Sequence, residues 1–319
     1  MNIVTIGGGG GHAQVLKGLK RLPGVKITAI CPSTDSGGST GLLKRDYNIP
    51  GYLGDLTKCI AALCLDEHLA KALLHRFNTG NLSGHSVKNV LFLGLEQTNG
   101  IQVALDMMYQ ICGLGSHRVI PVTVEPMELC ALLKIGNYIH GETQIDTIAQ
   151  NPLWHPDYHA IQSIYLNPKI SASETAIDAI KKADWLIVSP GDLYSSILPV
   201  VLPEGMKEAI SSKKPKVVII LNIMTKKGET DKYRAMDFIT RIEQYIGLPA
   251  RVILCNSTEL GGEALIKYAL EQKVQLVMSD EISDPRIRLA PLATLTEEGC
   301  VYHDPEKVSA ELNSIFKAG

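Results

Sequence analysis

Short apolar segments alternate with helix-like segments along most of this chain, and that alternation limits the fold more than any other feature. The apolar segments span residues 2–6, 25–30, 184–189, 216–221, 250–255 and 274–278. Helix-like segments span residues 12–20, 172–182, 205–211, 235–245 and 262–271. Strands that are apolar on both faces and alternate with helices are typical of parallel sheets covered on both sides. The sequence therefore predicts an α/β, Rossmann-like three-layer fold with a mainly parallel sheet.

Residues 56–114 interrupt this alternation. They contain no clear strand and have helical segments at residues 56–65, 68–76, 86–95 and 101–111. We predict a helical insertion beside the sheet, within a single domain spanning residues 1–319, because no low-complexity linker divides the chain. Residues 119–136 return to strand character and predict a hairpin or an edge strand, whereas residues 151–162 predict a loop.

Composition and charge exclude several classes of protein. The net charge is −2, so no basic balance favours nucleic acid as a partner. No apolar run has membrane-spanning length and no signal-like segment opens the sequence, so we expect a cytoplasmic protein with no membrane partner. The 7 cysteines are scattered without metal-ligand spacing, which favours buried thiols over a zinc site or a disulfide framework.

Five consecutive glycines, Gly7 to Gly11, follow the first predicted strand and precede a helix. Gly8, Gly10 and Ala13 match the pattern G-x-G-x-x-A. In such loops the glycines let the backbone approach a phosphate, which binds at the positive end of the helix. A tight turn without a ligand is the alternative, but a turn needs fewer glycines. The loop therefore predicts a phosphate site.

The glycine loop does not fit the two commonest nucleotide motifs. NAD-binding folds place an acidic residue at the end of the second strand. Here Cys31, Pro32 and Ser33 follow that strand, and the first acid is Asp35. The P-loop lysine is missing as well. An NAD-dependent oxidoreductase is therefore a minor hypothesis.

Further polar loops follow other predicted strands. The sequence "STDSGGSTG" follows the second strand, and its Asp35 could hold a metal such as Mg²⁺ between phosphates. Asp55 stands at the start of a helix, where an N-cap role is also expected. Because parallel strands end at one edge of the sheet, these loops are expected to meet there. The nucleotide and phosphate candidates are Gly8, Gly9, Gly10, Gly11, His12, Asp35, Gly37, Gly38, Ser39, Asp55, His85, Asn89, Gly191, Asp192, Asn222 and Thr225.

No nucleophile–base signature is visible, so catalytic residues stay unassigned. Asp35, Asp55 and Asp192 are the candidates for proton transfer or metal binding, and spacing alone does not choose among them.

The polar blocks, taken in order, resemble the gluconeogenesis-factor family. This family is the bacterial branch of the CofD-like group, whose other branch includes 2-phospho-L-lactate transferase. The resemblance runs from about residue 3 to residue 312. Its blocks are "GGGGG", "DSGGSTG", "GDLTKCIAAL", "GHSVKNVLFLGL", "VTVEPMELCALL", "SPGDLYSSILP", "NIMTKKGETDKYRAMDFI" and "HDPEKVSAEL".

The resemblance implies a Rossmann-like fold and a cytoplasmic protein that binds a nucleoside diphosphate or a UDP-sugar. It also implies a role in growth on gluconeogenic carbon sources and in cell shape. The transferase branch implies an alternative, which is transfer of a phospholactyl group from a nucleoside diphosphate donor with a magnesium ion. Whether this chain is an enzyme is left open, as is a homo-oligomer.

Two positions depart from the family pattern. Gly10 stands where the family's glycine loop usually has threonine, so a hydroxyl contact is lost. Asp35 and Ser36 stand where the second loop usually has paired aspartates, so one metal ligand is absent. The resemblance therefore favours a binding protein over a magnesium-dependent transferase.

Overall fold

The computed structural model describes residues 1–271, 273–276, 284–295 and 299–319. Its strands are β1 (Asn2–Ile6), β2 (Lys26–Cys31), β3 (Arg118–Pro121), β4 (Glu128–Leu133), β5 (Tyr138–His140), β6 (Ile161–Asn167), β7 (Trp185–Val188), β8 (Lys216–Ile220), β9 (Val252–Asn256), β10 (Ile287–Ala290), β11 (Ala293–Leu295) and β12 (Val301–His303). Its α-helices are α1 (Gly9–Leu19), α2 (Gly38–Tyr47), α3 (Leu53–Leu63), α4 (Glu67–Leu74), α5 (Val87–Asn99), α6 (Ile101–Ile111), α7 (Glu142–Asp146), α8 (Glu174–Lys181), α9 (Met206–Lys213), α10 (Ala235–Ile246), α11 (Gly262–Leu270) and α12 (Pro305–Ala318).

A parallel sheet of seven strands forms the centre of the described residues, in the order β10-β9-β8-β7-β1-β2-β3. Every neighbouring pair in this sheet is parallel. The sheet confirms the predicted α/β, Rossmann-like class. Strands β7, β1 and β2 are neighbours in this order, and β8 lies beside β7. The glycine loop follows β1, "STDSGGSTG" follows β2 and "SPGDLYSS" follows β7.

Alternate residues of each strand enter two separate cores, which explains why the strands are apolar on both faces. On β1, Ile3 packs in one core with residues of α1, α3, α5, α6 and α12. Val4 and Ile6 pack in the other core with residues of α8, α9 and α10. Two helical layers therefore cover the sheet.

Helix α10 shows how local sequence sets these elements. Phe238, Ile239, Ile242 and Ile246 are buried and recur at helical spacing. Asp237 accepts a hydrogen bond from the Arg234 backbone N–H at 2.7 Å, which satisfies an amide at the start of the helix. The helix ends at Ile246 because the following residue, Gly247, adopts a left-handed conformation with φ +76°.

Two predicted elements differ from the structure. Residues 274–276 form no strand, only an antiparallel bridge between Met224 and Gln275, and residues 277–278 lie outside the described residues. The last parallel strand is β10 instead, which was missed because Arg288 and Arg286 hide the apolar pattern at this edge. Residues 119–136 contribute the edge strand β3 and also β4, which pairs with β5 as an antiparallel hairpin, so this prediction is confirmed. The predicted loop at 151–162 gives way to β6 at Ile161.

The segment between β2 and β3 is helical, as the sequence predicts for residues 56–114. It contains α3 to α6, and α2 precedes them. Strands β4, β5 and β6 form a separate antiparallel sheet that packs on the second core. No helix in the described ranges is long and apolar enough to cross a membrane.

Candidate functional site

Four loops meet at the carboxyl edge of the sheet, and glycines allow their close approach. A Cβ atom at Gly11 would lie 2.2 Å from the Pro190 carbonyl oxygen. A Cβ atom at Gly8 would lie 2.3 Å from a carboxylate oxygen of Asp55. Real Cβ atoms do not approach other atoms so closely, so only glycine fits at position 11, where the neighbour is backbone, and at position 8 the Asp55 side chain would have to move. The first turn of α1 is therefore in direct contact with the loop after β7.

The glycine loop presents backbone amides at the start of α1. Gly7 and Gly9 have φ values of +145° and +70°, in the left-handed region that favours glycine. The Gly9 amide donates to Asp55 Oδ1 at 2.8 Å, so this amide is already used by the protein. The Gly10 and Gly11 amides have no acceptor among the described residues. Two free amides at a helix N-terminus suit an anion.

His12, which the sequence analysis places in the binding set, is in the core. Its side chain is 0% exposed and contacts Thr5 Oγ1 at 2.7 Å and the Gly7 carbonyl oxygen at 2.8 Å. Burial lowers the pKa of His12, but Cys59 and the Gly7 carbonyl outweigh burial and raise it. The His12 side chain therefore supports the glycine loop from within the core. It has no surface exposed to a ligand, which corrects its predicted role as a binding side chain.

The second loop gathers carboxyl groups. Asp35 Oδ1 accepts the Gly37 N–H at 2.9 Å, and burial together with Asp55 raises the pKa of Asp35. Glu142 of α7 accepts the Ser36 N–H at 3.3 Å. Burial and the Asp35 carboxylate raise the pKa of Glu142 to about 7. An aspartate at position 36 would face Glu142, so serine fits this position better.

A buried hydrogen-bond network joins the second loop to the start of α5. Ser39 Oγ lies 3.1 Å from His85 Nδ1 and accepts from Asn89 Nδ2 at 3.1 Å. Asn89 Oδ1 accepts from Lys88 Nζ at 2.7 Å. Burial and the charge of Lys58 lower the pKa of Lys88 to about 7. The predicted residues Ser39, His85 and Asn89 thus lie together, but Asn89 is 2% exposed and supports the loop rather than facing solvent.

Asn222 and Thr225, the two predicted ligand-binding residues after β8, hold neighbouring loops together. Asn222 Nδ2 donates to the Gly191 carbonyl at 2.6 Å, and Asn222 Oδ1 accepts the Gly191 N–H at 3.2 Å. Thr225 Oγ1 accepts the Val274 N–H at 2.8 Å and is 5% exposed. Both side chains are committed to the backbone of neighbouring segments. Both residues also line the cleft described below, so their predicted contact with a base or a phosphate stays a prediction beside this positioning role.

Asp192 lies in a cluster of three carboxyl groups with Asp146 and Glu229. Lys226 makes ion pairs with all three of them. Asp35, the predicted Mg²⁺ ligand, belongs to none of the groups of three or more ligand atoms within 4.8 Å that the described part of the chain forms.

A cleft of about 470 Å³ opens beside these loops. Its lining includes Gly11, Gly191, Lys226, Tyr302 and His303. Tyr302 is 36% exposed and reaches the glycine loop, since a Cβ atom at Gly10 would lie 3.4 Å from its ring. A volume of this size is typical of small-molecule sites.

His303 lines this cleft, and one of its ring nitrogens has no partner. The residue is 4% exposed, and its Nε2 atom is buried without a hydrogen-bond partner in the described ranges. Burial lowers the pKa of His303 to about 4 and outweighs a hydrogen bond with the Leu221 backbone, so the ring is neutral at pH 7. Buried polar atoms without partners are rare and often mark functional sites.

Sequence reasoning missed several residues of this edge. Lys226 and Glu229 stand in the quoted block "NIMTKKGETDKYRAMDFI", but a loop with six charged residues is usually interpreted as solvated. Glu142 and Asp146 are on a short helix that is far along the sequence from the glycine-rich loops, although Glu142 contacts Ser36 in space. His303 opens the block "HDPEKVSAEL", and that position was the one signal that could have found it.

Comparisons with known proteins agree with this architecture. Residues 3–293 match the family model described as 2-phospho-L-lactate transferase CofD. A putative gluconeogenesis factor of Aquifex aeolicus is 34% identical, over 99% of this chain and 97% of its own length. The gluconeogenesis factor of Bacillus subtilis is 32% identical, over 99% of this chain and 98% of its own length.

Solved structures give the same result. A crystal structure of a UPF0052-family protein from Bacillus halodurans superimposes with a TM-score of 0.87 at 30% identity, covering 97% of this chain and 98% of that protein. Sequence and structure therefore agree along nearly the whole chain. The chain belongs to the CofD family, and within it to the group whose curated members are named gluconeogenesis factor.

Proposed function

We propose that this chain binds a nucleoside diphosphate, carried as a UDP-sugar, in the cleft at the carboxyl edge of the sheet. The observation that carries the proposal is the pair of unpartnered amides of Gly10 and Gly11 at the start of α1, where Gly11 and Gly191 both line the cleft. A helix N-terminus attracts anions through its free N–H groups and its dipole. The diphosphate accepts hydrogen bonds from these two amides.

The rest of the cleft supports a nucleotide rather than a simple phosphate. Tyr302 offers a partly exposed ring beside the glycine loop, and rings of this kind stack on bases. The His303 ring lines the cleft, with its Nε2 atom buried and unpartnered among the described residues. Lys226, Lys267 and Lys273 line the cleft together with Asp192 and Glu271, so the described part of the lining carries one more positive than negative side chain. In this role the protein acts as a gluconeogenesis factor, needed for growth and cell shape on gluconeogenic carbon sources.

Isothermal titration tests the proposal. UDP-N-acetylglucosamine, UDP and GDP are titrated separately into the protein, and Gly11→Ala is compared with Gly10→Ala. We expect binding of a uridine ligand, weakened by Gly11→Ala and largely kept by Gly10→Ala. An absence of heat and of thermal shift with all three ligands would refute the proposal.

Transfer of a phospholactyl group is the second candidate function. It is supported by the family-model match and by the Glu142 carboxyl, which has a pKa of about 7 and lies against the second loop beside Ser36. A carboxyl that titrates near neutral pH suits proton transfer. A turnover assay with a phospholactyl nucleotide donor and a deazaflavin alcohol tests it. Product formation that Glu142→Gln reduces would support the enzyme, and an absence of product would leave the binding role alone.

A further inference from the structure

The loop after β8 places a lysine among three carboxyl groups that come from separate parts of the chain. Lys226 Nζ lies 2.7 Å from Asp192 Oδ2 and 3.4 Å from Glu229 Oε1, and it contacts Asp146 as well. The Lys226 side chain is 18% exposed, and the Glu229 side chain is 0% exposed. The ammonium group is therefore at the centre of the cluster and largely shielded from water.

The same three carboxyl groups could otherwise form a metal site. Their oxygens lie within 4.8 Å of one another, and carboxylate oxygens are the ligands that Mg²⁺ and Mn²⁺ prefer. Mg²⁺ does not fit the cluster as it stands, because the ammonium group holds the position between the oxygens. A divalent ion there would meet a positive charge at the distance of a direct contact.

The hydrogen bonds of Glu229 lead to the same conclusion. Its Oε2 accepts the N–H groups of Tyr194 at 2.8 Å and Ser195 at 3.2 Å. Its Oε1 accepts the Ser195 hydroxyl at 2.7 Å and faces Lys226. Each oxygen has two lone pairs, so one acceptor position of this carboxylate has no hydrogen-bond donor among the described residues, and the Lys226 ammonium faces Oε1 there as an ion-pair partner at 3.4 Å. Removing the lysine would free that position.

The charges of the group are mutually dependent. Burial lowers the pKa of Lys226, but Glu229 and Asp192 outweigh burial and raise it, so the ammonium stays charged. Burial and the charge of Asp192 raise the pKa of Glu229 to about 7. Without a cation, the carboxyl groups would repel one another and any anion bound in the cleft, which Asp192 and Lys226 both line.

We infer that Lys226 is a built-in cation: its ammonium group fills the space that a divalent ion would need, and this cleft binds its diphosphate without a divalent metal. The second half of the inference rests on the proposed function, whereas the first half concerns the protein alone. The neighbouring Lys227 makes no ion pair within the described ranges and provides a matched control.

Titration with Mn²⁺ in the absence of nucleotide tests the first half. Electron paramagnetic resonance reports the free ion for the wild type, Lys226→Ala and Lys227→Ala. We expect Lys226→Ala to bind one Mn²⁺ at least about tenfold more tightly than the other two proteins, a difference of about 1.4 kcal/mol. One tight Mn²⁺ in the wild type that Asp192→Asn removes would overturn the inference. So would a folded Lys226→Ala, checked by circular dichroism, that binds Mn²⁺ no better than the wild type.

Titration of UDP and UDP-N-acetylglucosamine into the wild type tests the second half, and it needs no variant. The expected affinity is the same in excess EDTA and in excess Mg²⁺. Binding that requires Mg²⁺ would overturn the inference while leaving the proposed function intact. If neither nucleotide binds under either condition, the proposed function fails, the metal-free half of the inference fails with it, and the Mn²⁺ titration still decides the role of Lys226.

Discussion

Gly11→Ala tests the close approach of two backbone segments at the carboxyl edge of the sheet, because it removes no functional side chain. The added methyl carbon would lie 2.2 Å from the Pro190 carbonyl oxygen and 2.9 Å from its carbonyl carbon. Both are backbone atoms, so no flexible side chain can move aside. The first turn of α1 and the loop after β7 would have to separate by about 1 Å to restore an ordinary contact distance.

The cost of that separation can be estimated from the packing. Forcing an extra methyl group into a closely packed site costs about 1–3 kcal/mol. With about 2.1 cal/mol/K of unfolding entropy per residue and 319 residues, 1 kcal/mol corresponds to about 1.5 °C in Tm. We therefore expect Gly11→Ala to lower Tm by about 1.5–4.5 °C. If the diphosphate bridges the two loops, its affinity falls by about tenfold or more.

Scanning calorimetry measures the first effect, and titration with UDP-N-acetylglucosamine measures the second. Gly10→Ala is the matched control, because its methyl carbon would lie 3.4 Å from the Tyr302 ring, an ordinary contact. We expect the control to keep the wild-type Tm within about 1.5 °C, a difference of about 1 kcal/mol. A Gly11→Ala protein with the Tm and affinity of the control would refute the close approach of the two loops.

Three further predictions concern the acidic groups. Asp55→Ala leaves the Gly9 amide without its acceptor and should lower the free energy of unfolding by about 1.5–3 kcal/mol. Asp55→Asn keeps an acceptor and should lose less. Urea unfolding measures both variants, and equal losses would contradict the role of this hydrogen bond. The pKa of Glu142 is about 7 when folded, above its ordinary value of 4.5, so the folded state holds more protons between these values and stability falls as pH rises from about 4.5 to 7. Glu142→Gln should flatten that fall in urea unfolding at several pH values, and an unchanged slope would argue against the raised pKa. Ser36→Asp would place a second negative charge beside Glu142 and should lower Tm more at pH 8 than at pH 5; a stabilised variant would mean that the loop accepts paired aspartates.

The sheet and its loops could be predicted because their signals are local. Residues 2–6 form β1 with the predicted bounds, since an apolar run bounded by a glycine loop has one simple interpretation. The helix predicted from residue 12 is present, but α1 begins at Gly9, inside the glycine run. Strand order was not predicted in detail, but parallel strands place their following loops on one edge whatever the order.

The roles of single side chains could not be predicted, because they depend on which loops touch. Asn222 bonds the Gly191 backbone because the loops after β7 and β8 are adjacent. Lys226 meets Asp146, which is 80 residues away in sequence. Spacing along the chain carries no information about such contacts, and a charged residue in a loop reads as solvated until its partners are known.

A crystal structure of the protein with bound UDP-N-acetylglucosamine would show whether the start of α1 binds the diphosphate. We expect diphosphate oxygens within hydrogen-bond distance of the Gly10 and Gly11 amides, in the cleft that Gly191 and Tyr302 line. A diphosphate bound elsewhere on the molecule, with these two amides left without an acceptor, would contradict this expectation.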